Sequence, residues 1–332
     1  MFGLTLFVNY IININKCNLD DAITILISVY AIQSILQILA LIYPGFYQFI
    51  RLFQVEQTAQ LLQDGYSGIR GLALSSELTF ALSTSYGMIF IIHALKISLK
   101  KSLNTFDYFC LSLNMIGLTF AGRTALIGVI ISLFMIVIFI NVYERLKFIF
   151  FISLFIIVFS LSLYYILDSN IVEKIFNFAF ELFVNIFSGK GAQTESTNRL
   201  MEMLSLNINE KTWLIGDGRY IGDDGKYYGH VDSGYLRQVL FGGIGYVVVL
   251  FSLQILYLFY PIMNNLGGFI SKNISRDKIV FVVYSFLVLI YLIVLNIKGE
   301  SLFYLKQIQF LIFIIVFSIS YTGGICKKHI NK

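Results

Sequence analysis

The chain has 332 residues, of which 58% are hydrophobic, 16% aromatic and only 13% charged, and its mean hydropathy is +0.79. Soluble globular domains have about 25% charged residues, so this composition excludes an ordinary soluble enzyme and indicates an integral membrane protein. The net charge of +5 forms no basic face, so no nucleic-acid partner is expected. Cys17, Cys110 and Cys326 lie far apart in the chain, so neither a disulfide nor a metal cluster is expected.

Uncharged apolar runs of helix length recur along the chain and predict membrane-spanning helices. A barrel is not indicated, because its strands would alternate apolar and polar residues. The predicted spans lie near 1–12 (short and incomplete), 22–43, 74–95, 105–121, 124–142, 148–167, 236–260, 279–297 and 301–323. The sequence therefore predicts an all-α integral membrane protein, a polytopic bundle of about eight or nine transmembrane helices. These helices are expected to form a single domain over residues 1–332.

Basic residues between the spans predict the orientation of the chain. They cluster in the tail CKKHINK and in three loops, at Lys272, Arg276 and Lys278, at Arg145 and Lys147, and at Lys96, Lys100 and Lys101. Loops rich in lysine and arginine stay in the cytoplasm, so these loops and the C-terminus are predicted to be cytoplasmic. The extracytoplasmic side then holds a smaller loop at 44–73, a tight turn at 121–123 and a large loop at 168–235.

The large loop carries patterns of its own. Glutamate and asparagine recur every fourth residue over the mainly apolar stretch 170–190, which predicts an amphipathic helix in the membrane interface. A similar helix is predicted at 46–63, and Trp213 suits an interface anchor. The stretch 216–229 is rich in glycine and aspartate and is typical of turns. The glycines at 242–245 allow either close helix packing or approach of the backbone to a substrate.

Several charged residues lie on the predicted outer side. Arg123 stands between two apolar runs, where it either snorkels to the interface or contacts an anion, since a charge near the bilayer centre costs on the order of 3 kcal/mol. Arg70 precedes Glu77 at the start of a span, and the two form a structural pair or share a substrate role. Further cations on this side are Arg199, Arg219 and Arg237. Guanidinium groups bind phosphate and pyrophosphate bidentately, so a phosphorylated ligand is a hypothesis for this face.

His230 is the only histidine in the large loop, and Asp232 follows two residues later. An imidazole beside a carboxylate can serve as a general base, whereas a solvated or hydrogen-bonded side chain is the alternative. The preceding GDGRYIG lacks the spacing of a dinucleotide fingerprint, and DGRYIGDDG lacks that of a calcium loop. Neither a cofactor nor a metal is therefore expected.

Four stretches occur in a particular order along the chain and on the same predicted side. They are GIRGLALSSELTFAL, FAGRTALIGVII, STNRLMEM followed by WLIGDG, and HVDSGYLRQVLFGGIGYVVVL. In these stretches the chain resembles the O-antigen polymerases of the Wzy type and, more distantly, the O-antigen ligases. The ligases usually carry a His-Asn pair where this chain reads HVDSGYL, so the resemblance favours the polymerases.

The resemblance implies a metal-independent glycosyltransferase in a bacterial inner membrane. It would join oligosaccharide repeat units, carried on polyisoprenyl pyrophosphate, at the outer face of that membrane. The implied partners are these lipid-linked glycans, membrane lipids and a chain-length regulator. The alternatives are a ligase that transfers glycan to the lipid A core and a polysaccharide flippase or transporter.

The resemblance also implies roles for individual residues. The motif arginines correspond to Arg70, Arg123 and Arg199, and these with Arg219 are the predicted pyrophosphate ligands. The predicted catalytic residues are His230, Asp232 and Glu77, in that order of preference as the base. Sugar contacts are predicted for Tyr228 and Tyr235, with anchoring in the membrane interface as the alternative.

Overall fold

The computed structural model divides the chain into two compact units. Unit 1 comprises 1–145, 255–289 and 306–332, and unit 2 comprises 146–254 and 290–305. The structure describes residues 19–54, 73–75, 80–102, 104–166, 185, 188–189, 195–264, 276–302, 305–306, 308–309 and 311–316. Each unit is described below by itself.

Helices make up almost all the secondary structure of the described residues. They are α1 (Leu19–Ile42), α2 (Pro44–Arg51), α3 (Phe80–Lys100), α4 (Thr105–Ala121), α5 (Ala125–Phe139), α6 (Val142–Ile166), α7 (Glu195–Leu204), α8 (Glu210–Ile215), α9 (Gly234–Asn264) and α10 (Arg276–Lys298). A 3-10 turn spans Tyr228–His230, and residues 311–316 are helical. In the described part of the chain, β structure is limited to an isolated antiparallel bridge between Ile221 and Tyr227.

Among the described residues, four helices are long and apolar enough to cross a membrane. They are α1, α3, the Gly234–Tyr260 part of α9, and α10, while the apolar helix α5 is shorter. This agrees with the predicted all-α membrane class, whereas a total of about eight or nine spans stays a prediction. The predicted span at 105–121 coincides with α4, and the span predicted to begin at 74 begins as a helix at Phe80.

Some predicted elements lie outside the described residues. These are the span at 1–12, about half of the span at 301–323, most of the interfacial helix at 170–190, and the second half of the helix at 46–63. The first part of the last one is helical as α2, which follows Tyr43 and begins at Pro44, where the missing N–H is not needed.

Helix α3 forms the centre of unit 1. It packs against α1, α4 and α5, and nearly every one of its residues is buried. Close approach to α5 depends on a pair of glycines, because a Cβ on Gly128 would lie 2.3 Å from the carbonyl oxygen of Gly87. Helices α1 and α5 instead expose large apolar side chains such as Ile32 (57% exposed) and Ile130 (67%). Apolar faces of this kind suit contact with lipid.

Polar side chains inside unit 1 are paired across helices. Ser34 of α1 and Tyr86 of α3 share a hydrogen bond of 3.0 Å. The ammonium group of Lys96 forms a buried ion pair with Asp107, which also caps α4 together with Asn104. Lys96 therefore lies inside the packed end of α3 and not in the solvated loop that its sequence neighbours suggested.

Candidate functional site

The end of the large loop folds against the head of α9 within unit 2. A small apolar core joins them, made by Val231, Leu236 and Leu240 with Met203, Ile208 and Tyr228 packed on it. Helix α8 leads into this region and is capped by Asn209, whose side chain accepts a 2.7 Å hydrogen bond from the Thr212 backbone. The Thr212 hydroxyl then donates to Asp217 at 2.8 Å, which fixes the first turn after α8.

Helix α9 is broken near its start, and the loop binds at the break. Gly243 has φ 70° and ψ −175°, which interrupts the regular helical hydrogen bonding. The backbone N–H of Asp217 donates to the Leu240 carbonyl at 2.7 Å, and that of Gly218 donates to the Phe241 carbonyl at 2.9 Å. The loop therefore satisfies carbonyl groups that a broken helix at a membrane boundary would otherwise leave unpaired.

Two glycines permit this close approach. A Cβ on Gly243 would lie 2.2 Å from the Leu214 carbonyl oxygen, and a Cβ on Gly216 would lie 2.4 Å from the Phe241 carbonyl oxygen. Both glycines also have φ of +70°, which side-chain-bearing residues rarely adopt. Within the stretch 242–245, Gly243 packs closely against backbone of the loop, and approach of the backbone to a substrate stays a prediction.

The stretch 221–227 forms a tight, solvent-exposed hairpin. Gly222 N–H donates to the Lys226 carbonyl at 2.7 Å, and Asp224 accepts from Lys226 N–H at 3.0 Å. The Nε2 atom of His230 lies 3.6 Å from the Asp224 carboxylate, with 70% of the histidine side chain exposed. Because the contact between His230 and Asp224 is long and exposed to solvent, it orients the imidazole only weakly.

The other predicted residues of the loop are exposed or engaged within the fold. Arg219 pairs with Asp223 at 3.6 Å on the surface, and Asp232 is exposed with its N–H 3.1 Å from the Met203 sulfur. The Tyr228 hydroxyl donates to Asp217 at 3.2 Å, and this hydrogen bond raises the pKa of Tyr228.

Tyr235 joins α9 to α10. Its hydroxyl donates to the Ile293 carbonyl at 2.9 Å, and its ring stacks on Phe251 with an interplanar angle of 7°. The hydroxyl thereby has a backbone partner inside unit 2, and the predicted sugar contact of Tyr235 stays a prediction.

Among the described residues of unit 2, the most buried charges lie at the head of α9. Arg237 is 7% exposed and Glu300 6%, and their side chains form an ion pair with 3.6 Å between Nη2 and Oε2. The guanidinium group lies 3.6 Å from the Tyr227 ring centroid and 4.5 Å from that of Tyr220, which are cation–π distances. Burial raises the pKa of Glu300 to about 7.

A buried amide network holds Glu300 in place. Gln238 and Asn296 exchange hydrogen bonds of 3.4 and 3.0 Å, and Asn296 also accepts from the Ser301 backbone at 3.0 Å. The Ser301 hydroxyl donates to the Leu292 carbonyl at 2.7 Å. The network ties the head of α9 to the turn after α10, and it fixes the backbone on both sides of Glu300.

The other predicted site residues are not among the described contacts at the head of α9. Arg70 and Glu77 lie outside the described residues, and Arg199 lies on α7 with its side chain undescribed. Arg123 is half-buried in the turn between α4 and α5 of unit 1. Ser83 holds this turn, because its hydroxyl donates to the Gly122 carbonyl at 2.7 Å and accepts from Ala125 N–H at 2.9 Å.

Sequence reasoning did not predict Glu300, Asn296 or Gln238 as parts of a site, and it placed Arg237 only among the outer cations. A signal was present, since NIKGES puts an acid between two apolar runs. An acid at such a boundary needs a partner, but the partner is more than 60 residues away in the chain. In the part of the chain that the structure describes, no three histidine, cysteine, aspartate or glutamate side chains come together as a metal site.

Comparison with known proteins adds no relative. No protein-family model, curated protein or solved structure matches the chain.

Proposed function

We propose that this protein is a polysaccharide polymerase, which joins repeat units carried on polyisoprenyl pyrophosphate at the outer face of a bacterial inner membrane. The observation that supports this most is the buried ion pair between Arg237 and Glu300. This pair lies at the N-terminal end of a candidate span and is covered by the loop. A carboxylate and a guanidinium at this depth suit a substrate with a lipid anchor and polar head. The order of the motif stretches in the sequence favours the same function.

The chemistry of such a transfer is compatible with the residue types present. A hydroxyl at the non-reducing end of the acceptor loses its proton and attacks the anomeric carbon of the donor glycan. The bond from that carbon to the pyrophosphate oxygen breaks, and polyisoprenyl pyrophosphate leaves with the electron pair. Arginines stabilise the developing negative charge, and a carboxylate or imidazole takes the proton. In this proposal Arg70, Arg123, Arg199 and Arg219 are the candidates for pyrophosphate.

Deletion of the gene tests the function. We expect surface lipopolysaccharide that carries a single repeat unit, because the units are still made and attached but not joined. Gel electrophoresis of the extracted polysaccharide, with a plasmid-borne copy as the control, measures this. Complete loss of attached glycan would instead point to a ligase or a flippase, and an unchanged ladder would contradict all three functions.

A further inference from the structure

Glu300 and Ser233 each bury a side-chain oxygen that makes no hydrogen bond within the described structure. These oxygens are Oε2 of Glu300 and Oγ of Ser233, on residues that are 6% and 0% exposed. A buried polar group without a partner destabilises the fold, because it has lost its hydrogen bonds to water and gained none. Native folds rarely keep two of them in one place unless a further molecule supplies the partner.

The two residues are close because glycine separates them. A Cβ on Gly234 would lie 2.7 Å from the Glu300 Cα and 2.4 Å from the Asn296 side-chain oxygen. The backbone after Ser233 therefore lies directly against Glu300. A larger residue at 234 would clash with the Glu300 backbone and the Asn296 side chain.

The pairing of Glu300 with Arg237 leaves Oε2 of the carboxylate without a hydrogen bond. At 3.6 Å the two groups attract electrostatically but are too far apart for a hydrogen bond. A purely structural arginine–carboxylate pair in a buried site typically closes to a short, bidentate contact, since only good geometry offsets the loss of solvation. Here the Tyr227 ring, 3.6 Å from the guanidinium, holds Arg237 in its place beside the acid.

We propose that Glu300 is the general base of the transfer and Arg237 its positioning residue, with Ser233 as a second contact to the acceptor sugar hydroxyl. This inference rests on the proposed function. The acceptor hydroxyl donates its hydrogen bond to Oε2, and Glu300 takes the proton as the oxygen bonds to the anomeric carbon. Polyisoprenyl pyrophosphate leaves with the electron pair of the broken bond between the anomeric carbon and the pyrophosphate oxygen, and the protonated Glu300 then releases its proton to water.

The acidity of Glu300 fits this role. A base works best when its pKa lies near the operating pH, and burial brings the pKa of Glu300 to about 7. The carboxylate form increases as the pH rises through this value. Activity limited by Glu300 should therefore rise between about pH 6 and pH 8 and level off above.

The test uses purified full-length protein in lipid vesicles with a polyisoprenyl-pyrophosphate-linked repeat unit as both donor and acceptor. We expect Glu300→Gln to lower the rate of chain extension at least 100-fold, and Glu300→Asp to keep measurable activity with a shifted pH profile. Glu202→Gln is the control for loss of an acid, since Glu202 is an exposed acid on α7 and should behave as wild type. Size exclusion in detergent checks that each variant is folded.

The outcomes separate the two proposals. A wild-type protein that extends no chains contradicts the proposed function itself. If the wild type is active, Glu300→Gln with more than a third of that activity overturns the role of Glu300. If Glu300→Gln does not fold, the pH profile of Glu300→Asp decides, and a profile identical to wild type overturns the role. His230→Ala in the same assay should retain activity; its loss, with Glu300→Gln active, assigns the base to His230.

Discussion

At the scale of single residues, two buried ion pairs in this protein differ in kind. Lys96 and Asp107 are in direct hydrogen-bond contact, and Asp107 also accepts from the Asn104 backbone at 3.3 Å. Arg237 and Glu300 stand 3.6 Å apart, and an oxygen of Glu300 has no hydrogen bond within the described structure. The closed pair suits a structural role, whereas the open pair suits a role in binding or catalysis.

The closed pair gives a prediction about stability. Asp107→Asn should destabilise the protein by about 3–5 kcal/mol, because it leaves the buried charge of Lys96 uncompensated. The double variant Lys96→Met with Asp107→Leu should recover much of this loss, since it removes both charges. Thermal unfolding in detergent measures the three proteins. Equal losses in the single and double variants would show that the charge pairing is not what matters.

At the scale of elements, the break in α9 is the feature that builds the site. The loop segment after α8 binds the carbonyl groups of Leu240 and Phe241 only because the helix is interrupted at Gly243. The same contact brings Tyr227 and Tyr220 over Arg237. In an unbroken helix those carbonyls would accept hydrogen bonds from N–H groups of the helix, and the loop would lose its attachment.

A pair of glycine substitutions tests this contact. Gly243→Ala should destabilise unit 2 by about 2 kcal/mol or more and lower the activity, because the new Cβ would meet the Leu214 carbonyl oxygen at 2.2 Å in a strained backbone. Gly245→Ala is the control: its Cβ would meet nothing within 4 Å, and alanine favours a helix by about 1 kcal/mol. Membrane abundance and thermal unfolding measure both. Equal behaviour of the two variants would contradict the importance of the break.

At the scale of the whole molecule, the alternation of basic loops predicts two sides of a membrane. Asp223 belongs to the predicted outer loop and its side chain is 99% exposed, while Ser102 is exposed in a predicted cytoplasmic loop. Both side chains are exposed and can react with a reagent in solution. The orientation of the chain determines from which side of the membrane the reagent reaches each residue.

Cysteine labelling tests this orientation. In a chain with Cys17, Cys110 and Cys326 replaced by serine, an impermeant maleimide should label Asp223→Cys in cells with an intact inner membrane. Ser102→Cys should react only after the membrane is opened. Labelling of Ser102→Cys in intact cells, or protection of Asp223→Cys, would reverse or refute the predicted topology.

The sequence by itself determined the membrane class and most of the described helices. Apolar runs predict spans because a helix in lipid must satisfy its own backbone and present apolar side chains, and both requirements are local in the chain. The agreement at 105–121 and at 279–297, close to α10, follows from this local rule. The prediction of His230 and Asp232 as catalytic residues has a local basis too, since they are polar neighbours just before an apolar run.

Only the tertiary structure decided which polar groups are buried together. Nothing near Glu300 in the chain indicates Arg237, and nothing near Gly243 indicates that the backbone of Leu214 will lie against it. His230, the first candidate for the base by resemblance, is 70% exposed, and no neighbour in the chain indicates this exposure. Burial and pairing depend on contacts between distant segments, and the cost of burying a charge is set by those contacts and not by its neighbours in the chain.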